Sequence, residues 1–172
     1  MAFPAFAPAQ TTGDVFADAP GNAKRHVASG FVCPSRIGIF VRDAVGERDP
    51  SAGADFCAYS ALDGVYGTIT LAPLSGTDDP KAALASDFEE QEGTGGRKIA
   101  EDPIKIAGAS VYARTYQTSS LASIHYRVQF AAGGAGAWSV QATMEYASPR
   151  DDRIEREFLE TVYAAAFRTL GR

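Results

Sequence analysis

The strongest constraint in this chain is an alternation of period two that runs through residues 124–146 with one interruption. Ile124, Tyr126, Val128 and Phe130 point one way, and His125, Arg127 and Gln129 point the other. After the glycine-alanine stretch at 131–137 the alternation resumes. Trp138, Val140, Ala142, Met144 and Tyr146 take one side, and Ser139, Gln141, Thr143 and Glu145 take the other. Period two over such lengths predicts an antiparallel hairpin with one buried face, joined by a loop at 131–137. The buried face, carrying Tyr126, Val128, Trp138 and Val140, needs a cover. The sequence supplies one over 152–170, where Ile154, Phe158, Val162 and Ala165, flanked by Leu159 and Ala166, form an apolar helical stripe. Asp151 and Asp152 suit the start of that helix and Arg168 its end, and Gly171 stops it.

The preceding chain reads as strands around one earlier helix. Phe31-Val32-Cys33 leads into a turn at Pro34, and Ile37, Ile39 and Val41 alternate as a strand. Residues 46–53 are polar and rich in breakers, so they read as a loop. Strands are expected over Asp55–Ser60 and Val65–Leu71, joined by the tight-turn pair Asp63-Gly64. Asp79 and Pro80 form a capping start, and a helix is expected from there to Gly93. Arg97–Glu101 reads as a short strand broken by Asp102-Pro103. Ile104–Ile106 then leads through Gly108 into a strand over Val111–Gln117. The expected fold class is α+β, a single antiparallel sheet of about six to eight strands packed against two helices. Residues 1–23, rich in Ala, Pro, Gly and Thr, read as a flexible leader, and 24–172 as a single domain.

Composition bounds the function. Charged residues make up 22 % and hydrophobic residues 45 % of 172 residues, which suits a globular domain. A net charge of −5, with basic residues scattered, gives no electrostatic footprint for nucleic acid. No apolar run reaches the length of about 20 residues that spans a bilayer. Ala7-Pro8-Ala9 before Gln10 has the small residues a signal peptidase requires, so the leader reads as the remnant of an export signal. A merely disordered Ala/Pro-rich leader is the alternative, and with it a cytoplasmic location. Cys33 and Cys57 fall in neighbouring strand candidates outside any C-x-x-C, and in an exported chain they are expected to form a structural disulfide.

Nothing in the sequence carries a catalytic signature, and no cofactor is implied. The candidate binding surface is the polar face of the hairpin: His125, Arg127, Gln129, Gln141, Thr143 and Glu145. Arg127 is its natural anchor, because a guanidinium fork offers direction as well as charge. The acidic group Asp87, Glu89, Glu90 and Glu92 lacks the interleaved spacing of a calcium loop and reads as a solvated face. His26 and His125 read as surface residues. Gly133 to Gly136 reads as a hairpin connection, since no Lys-Ser/Thr follows to make a phosphate loop. Tyr112, Tyr116 and Tyr126 read as packing.

The order of elements, with Asp79-Pro80 to Gly93, Ile106-Ala107-Gly108, the strands at 121–130 and 138–146, and Glu155-Arg156-Glu157-Phe158 in the closing helix, resembles the PsbP-like superfamily over roughly residues 30–170. That group includes photosystem II extrinsic subunits, a Ran-binding nuclear-transport factor and many exported bacterial proteins. The resemblance implies a PsbP-like sandwich and a binding or assembly role, with no shared catalytic residues. The expected function is an exported, periplasmic or secreted binding or accessory module that acts by surface recognition of a protein or small molecule. The alternative is a small hydrolase whose residues lie too far apart in sequence to be seen.

Overall fold

The computed structural model describes residues 14–74, 79–119, 125–147 and 149–171, and of residues 63, 102 and 125–131 the backbone alone. Eight strands form one antiparallel sheet, built from two four-stranded meanders laid side by side. The first meander is β4 (Arg36–Ile37), β5 (Phe40–Asp49), β6 (Ala54–Ala61) and β7 (Val65–Pro73). The second, entered from its outer edge, is β8 (Arg97–Ile106), β9 (Ala109–Ser119), β10 (His125–Ala135) and β11 (Trp138–Ala147). Pairing of β7 with β11 joins them in the order β4-β5-β6-β7-β11-β10-β9-β8. A separate three-stranded sheet contains β1 (Phe16–Ala19), β2 (Ala23–His26) and β3 (Val32–Cys33).

Among the described residues there are three α-helices: α1 (Pro80–Ala83), α2 (Ala85–Gly93) and α3 (Asp152–Leu170). Asp79 caps α1 by accepting from the Lys81 amide at 3.0 Å, and Pro80 occupies the first helical position. Leu84, at φ −105° and ψ 6°, separates α1 from α2. The Asp151 carboxylate caps α3 by accepting from the amides of Arg153 and Ile154.

The expectation of one sheet against two helices is wrong. Among the described residues strand dominates, a second sheet is present, and the α-helices number three. Several local readings change with it. Part of the stretch read as leader is strand: β1 lies within it, because Phe16 is buried and pairs with His26. The stretch read as a loop at 46–53 belongs partly to β5, which continues to Asp49 opposite β6. Asp102-Pro103 does not break β8, because among the described residues β8 is the outermost strand and its outer side has no ladder to which a proline must donate. At Asp63-Gly64 the connection is a three-residue turn, Leu62–Gly64, with Gly64 at φ +72° and Ala61 paired with Val65.

The closing helix lies where the apolar stripe predicted. Phe158, Leu159, Val162, Tyr163, Ala166 and Leu170 are buried against Tyr59, Ile69, Leu71, Val140, Ala142 and Met144. The Tyr163 hydroxyl donates to the carbonyl of Val140 at 3.0 Å. Gly67 leaves room for Phe158, since a Cβ there would lie 2.7 Å from the ring. At the first end of the helix the Tyr146 hydroxyl donates to buried Glu155 at 2.6 Å and accepts from the Asp151 amide.

The small sheet is fastened to the large one covalently. Cys33 of β3 and Cys57 of β6, both fully buried, form a disulfide with Cα atoms 6.4 Å apart. Arg42 of β5 donates to the carbonyls of Cys33 and Asn22, and the Tyr59 hydroxyl donates to that of Pro34. The bridge closes a loop of 24 residues, so its reduction should lower stability by about 3.5 kcal/mol in the chain-entropy description. Phe158→Ala should cost roughly 3–5 kcal/mol, because it removes a fully buried ring and leaves a cavity. Urea denaturation measures both, and a loss below about 1 kcal/mol for Phe158→Ala would contradict the packing described.

Candidate recognition face

The sheet face away from α3 is only partly covered. The connection from β7 to the far edge carries α1 and α2 over β10 and β9, where Leu84 and Phe88 pack on Tyr116 and Ala132. The adjoining strip, on β7 and β11, lies beyond the helices. Register places Tyr66 beside Glu145, Thr68 beside Thr143, Thr70 beside Gln141, and Ala72 beside Ser139. Tyr66 and Glu145 are exposed, Thr68, Gln141 and Thr143 are half-buried, and Thr70 is buried. The Arg48 guanidinium reaches over from β5 and donates to the Thr70 hydroxyl at 2.8 Å. At one end of the strip a cleft of about 330 Å³ opens against α1, with Ser139, Gln141, Gly133 and Gly134 on the sheet side and Asp79 and Ala83 on the helix side. Gln141 donates to the Ala83 carbonyl at 3.3 Å, which holds its amide at the cleft wall.

Of the six residues expected to share a polar face, Gln141, Thr143 and Glu145 do so. Positions 127 and 129 of β10 do not join them: Arg127 pairs with Tyr146 and Gln129 with Met144, both of which belong to the α3 side. Position 125, paired with Ser119 of β9, takes the same side of β10 as 127 and 129. The side chains of His125, Arg127 and Gln129 lie outside the described residues. The cause is the length of the turn. β10 runs on through the glycines to Ala135, which pairs with Trp138, so the connection is Gly136-Ala137 rather than seven residues. A two-residue connection pairs even positions of β10 with odd positions of β11, and strand alternation does the rest. The even positions 128 and 130 therefore share the face of Glu145 and Thr143. Gly136 sits at φ +59°, the geometry that a type II′ hairpin turn requires at its first position.

Beside this strip, α2 is clamped by a polar cluster that the sequence did not suggest. Arg114 of β9 is buried, with its guanidinium 3.9 Å above the Phe88 ring. It donates to Glu101 at 2.8 Å, to the Tyr116 hydroxyl at 2.9 Å and to the Tyr112 hydroxyl at 3.1 Å. Tyr116 in turn donates to Glu92 of α2 at 2.8 Å. Glu101 also accepts from Lys98 and Tyr112. Bonds from Lys98, Tyr112 and Arg114 hold its carboxyl well below the usual carboxylate range. Glu92 thus belongs to the clamp. Burial raises the carboxyl of half-buried Asp87, against the pull of Arg48. The acidic face of α2 is therefore not simply solvated. Tyr112 and Tyr116 do pack, against Phe88, and the side chain of Tyr126 is outside the described residues.

His26 is not a surface residue. It is 1 % exposed, with Nε2 2.7 Å from Asp55 Oδ2 and Nδ1 2.7 Å from Ser29 Oγ. Sequence spacing hides this group, because Asp55 lies 29 residues from the histidine and on another sheet.

No protein-family model matches the chain, and no curated protein matches it.

Glu101→Gln tests the clamp. A carboxylate depressed in the folded state contributes its full stabilisation above the ordinary carboxylate pKa of about 4.3, and the contribution falls away as pH drops toward the folded value. The variant should melt lower than wild type at pH 7, and the gap should narrow below about pH 4. Thermal melts at the two pH values measure it, and a gap independent of pH would exclude this role for the carboxylate.

Proposed function

We propose that this chain is an exported binding module that takes its partner on the open strip of β7 and β11, with the cleft beside α1 as the specific pocket. The observation that carries the reading is the strip itself. A helical connection covers β9 and β10 of this face and stops short, which leaves hydroxyl, amide and guanidinium groups on rigid strands next to a concave site. Arg48 takes the anchoring role expected of Arg127, with Gln141, Thr143 and Thr68 as directional partners. Glu145 and Tyr66 form the exposed end of the strip.

The buried disulfide supports an oxidising compartment. No helix among the described residues is long and apolar enough to cross a membrane. A binding role of this kind is also what the PsbP-like resemblance implies.

Gly134 gives a direct test. A Cβ at this position would meet only the Leu74 side chain, at 3.7 Å, an ordinary contact. Gly134→Val should therefore fill the cleft without disturbing the sheet. That variant, and separately Arg48→Ala with Gln141→Ala, should keep the wild-type melting temperature within a few degrees, as changes at accessible positions do. Both should lose the partner that wild type retains from envelope extracts, identified by mass spectrometry. Full-strength capture by both variants would move recognition away from this face.

A further inference from the structure

We propose that Ser29 is a nucleophile activated by His26 and Asp55, and that it accepts the acyl group of small activated esters. Asp55 Oδ2, the His26 ring and Ser29 Oγ are linked by two contacts of 2.7 Å. The acid comes from β6 of the large sheet, the histidine is the last residue of β2, and the serine lies in the connection between β2 and β3. A carboxylate only accepts, so Nε2 carries the proton it donates to Asp55. Nδ1 then presents its lone pair to the serine hydroxyl. The Ser29 amide, 3.3 Å from Nδ1, donates toward the same lone pair, in agreement with this tautomer. Nucleophile, base and orienting acid thus stand in the order that activates a serine, with the ring nitrogens in exchanged roles.

The surroundings suit the chemistry. His26 lies between Phe16 and Trp138, each ring 5.2 Å away, so the carboxylate acts on the imidazole with little intervening water. Ser29 is only half-buried, and the turn leaves Val27 and Val32 exposed in the adjoining sequence, an apolar margin for a short acyl chain. The Phe31 amide donates to Ser29 Oγ at 3.1 Å. That bond leaves the hydroxyl proton free to move to Nδ1 and steadies Oγ as the proton departs.

In the reaction Oγ forms a bond to the acyl carbon as its proton passes to Nδ1, and the carbonyl electron pair moves onto the carbonyl oxygen. Asp55 holds the resulting imidazolium. The intermediate collapses, the bond to the leaving phenolate breaks, and the phenolate takes the proton from Nδ1. Water, deprotonated by Nδ1, then releases the carboxylic acid and restores the serine. An activated ester is the matching substrate class because its leaving group departs with little help.

The full chain, treated with an alkyl fluorophosphonate and separately with p-nitrophenyl acetate, tests the proposal. Peptide mapping should find the phosphonyl adduct, formed with loss of fluoride, on Ser29. Nitrophenolate release should accompany reaction with the ester. Ser29→Ala should abolish both signals. His26→Gln and Asp55→Asn should slow labelling by roughly 100-fold or more, the loss expected when general-base assistance is removed. Asp55→Asn keeps the shape of the acid, so it serves if His26→Gln fails to fold by circular dichroism. Absence of an adduct on Ser29 in folded wild type would overturn the proposal and leave the three residues as a brace for the turn. So would equal labelling rates in wild type and Asp55→Asn.

Discussion

Phe158 of α3 rests against the bare backbone of Gly67, and the position of the whole helix depends on that approach. With the helix this close, the Phe158 ring lies 4.9 Å from that of Phe40, and Tyr163 reaches the Val140 carbonyl. Glycines recur along the contact. A Cβ at Gly133 would press on the Tyr163 ring at 3.2 Å, and one at Gly136 would lie 2.0 Å from the Leu170 carbonyl oxygen. Gly136 is thus held to glycine twice, by its turn and by the last residue of the helix. Because the helix spans both meanders, the same contacts align β7 with β11.

The opposite face is governed by a connection rather than by packing alone. Since the second meander is entered at its outer edge, the chain must travel from β7 across β11, β10 and β9 before β8 can begin. The helical segment that makes this journey covers β9 and β10 and stops short of the strip on β7 and β11. The open strip and the cleft beside it follow from strand order. Arg114 explains why the cover stays down, as it joins α2 to β8 through Glu92 and Glu101 while stacking on Phe88.

Much of the local structure was legible in the residues. The 3.6-residue spacing of Ile154, Phe158, Val162 and Ala165 located the closing helix, because that stripe has one period and clear caps. The disulfide was legible from two cysteines in neighbouring strand candidates of a chain read as exported, although β3 and β6 belong to different sheets. The composite site was not, because alternation tells which residues share a face within a strand but not across a hairpin. That second fact belongs to the turn, and the glycines at 133 and 134 looked like turn while they were strand. The small sheet was missed because its strands have four, four and two residues, too short for a period to emerge. Arg48 was missed for a different reason: it reads as part of a polar loop, and only its reach to Thr70 gives it a place.

Pro103 has a consequence beyond the continuity of β8. An outermost strand normally offers a row of amides on which another strand can build, and proline removes one from the middle of the row. The register shift between Lys98 and Ala100 bends the same border, and Lys98 and Lys105 place charge along it. This margin of the sheet is therefore closed to further strands. At the other margin, β4 covers only the start of β5, through Arg36 with Val41 and Ile37 with Phe40. Within the large sheet, the described ladder left open is therefore the run of β5 beyond Val41, which β4 does not reach.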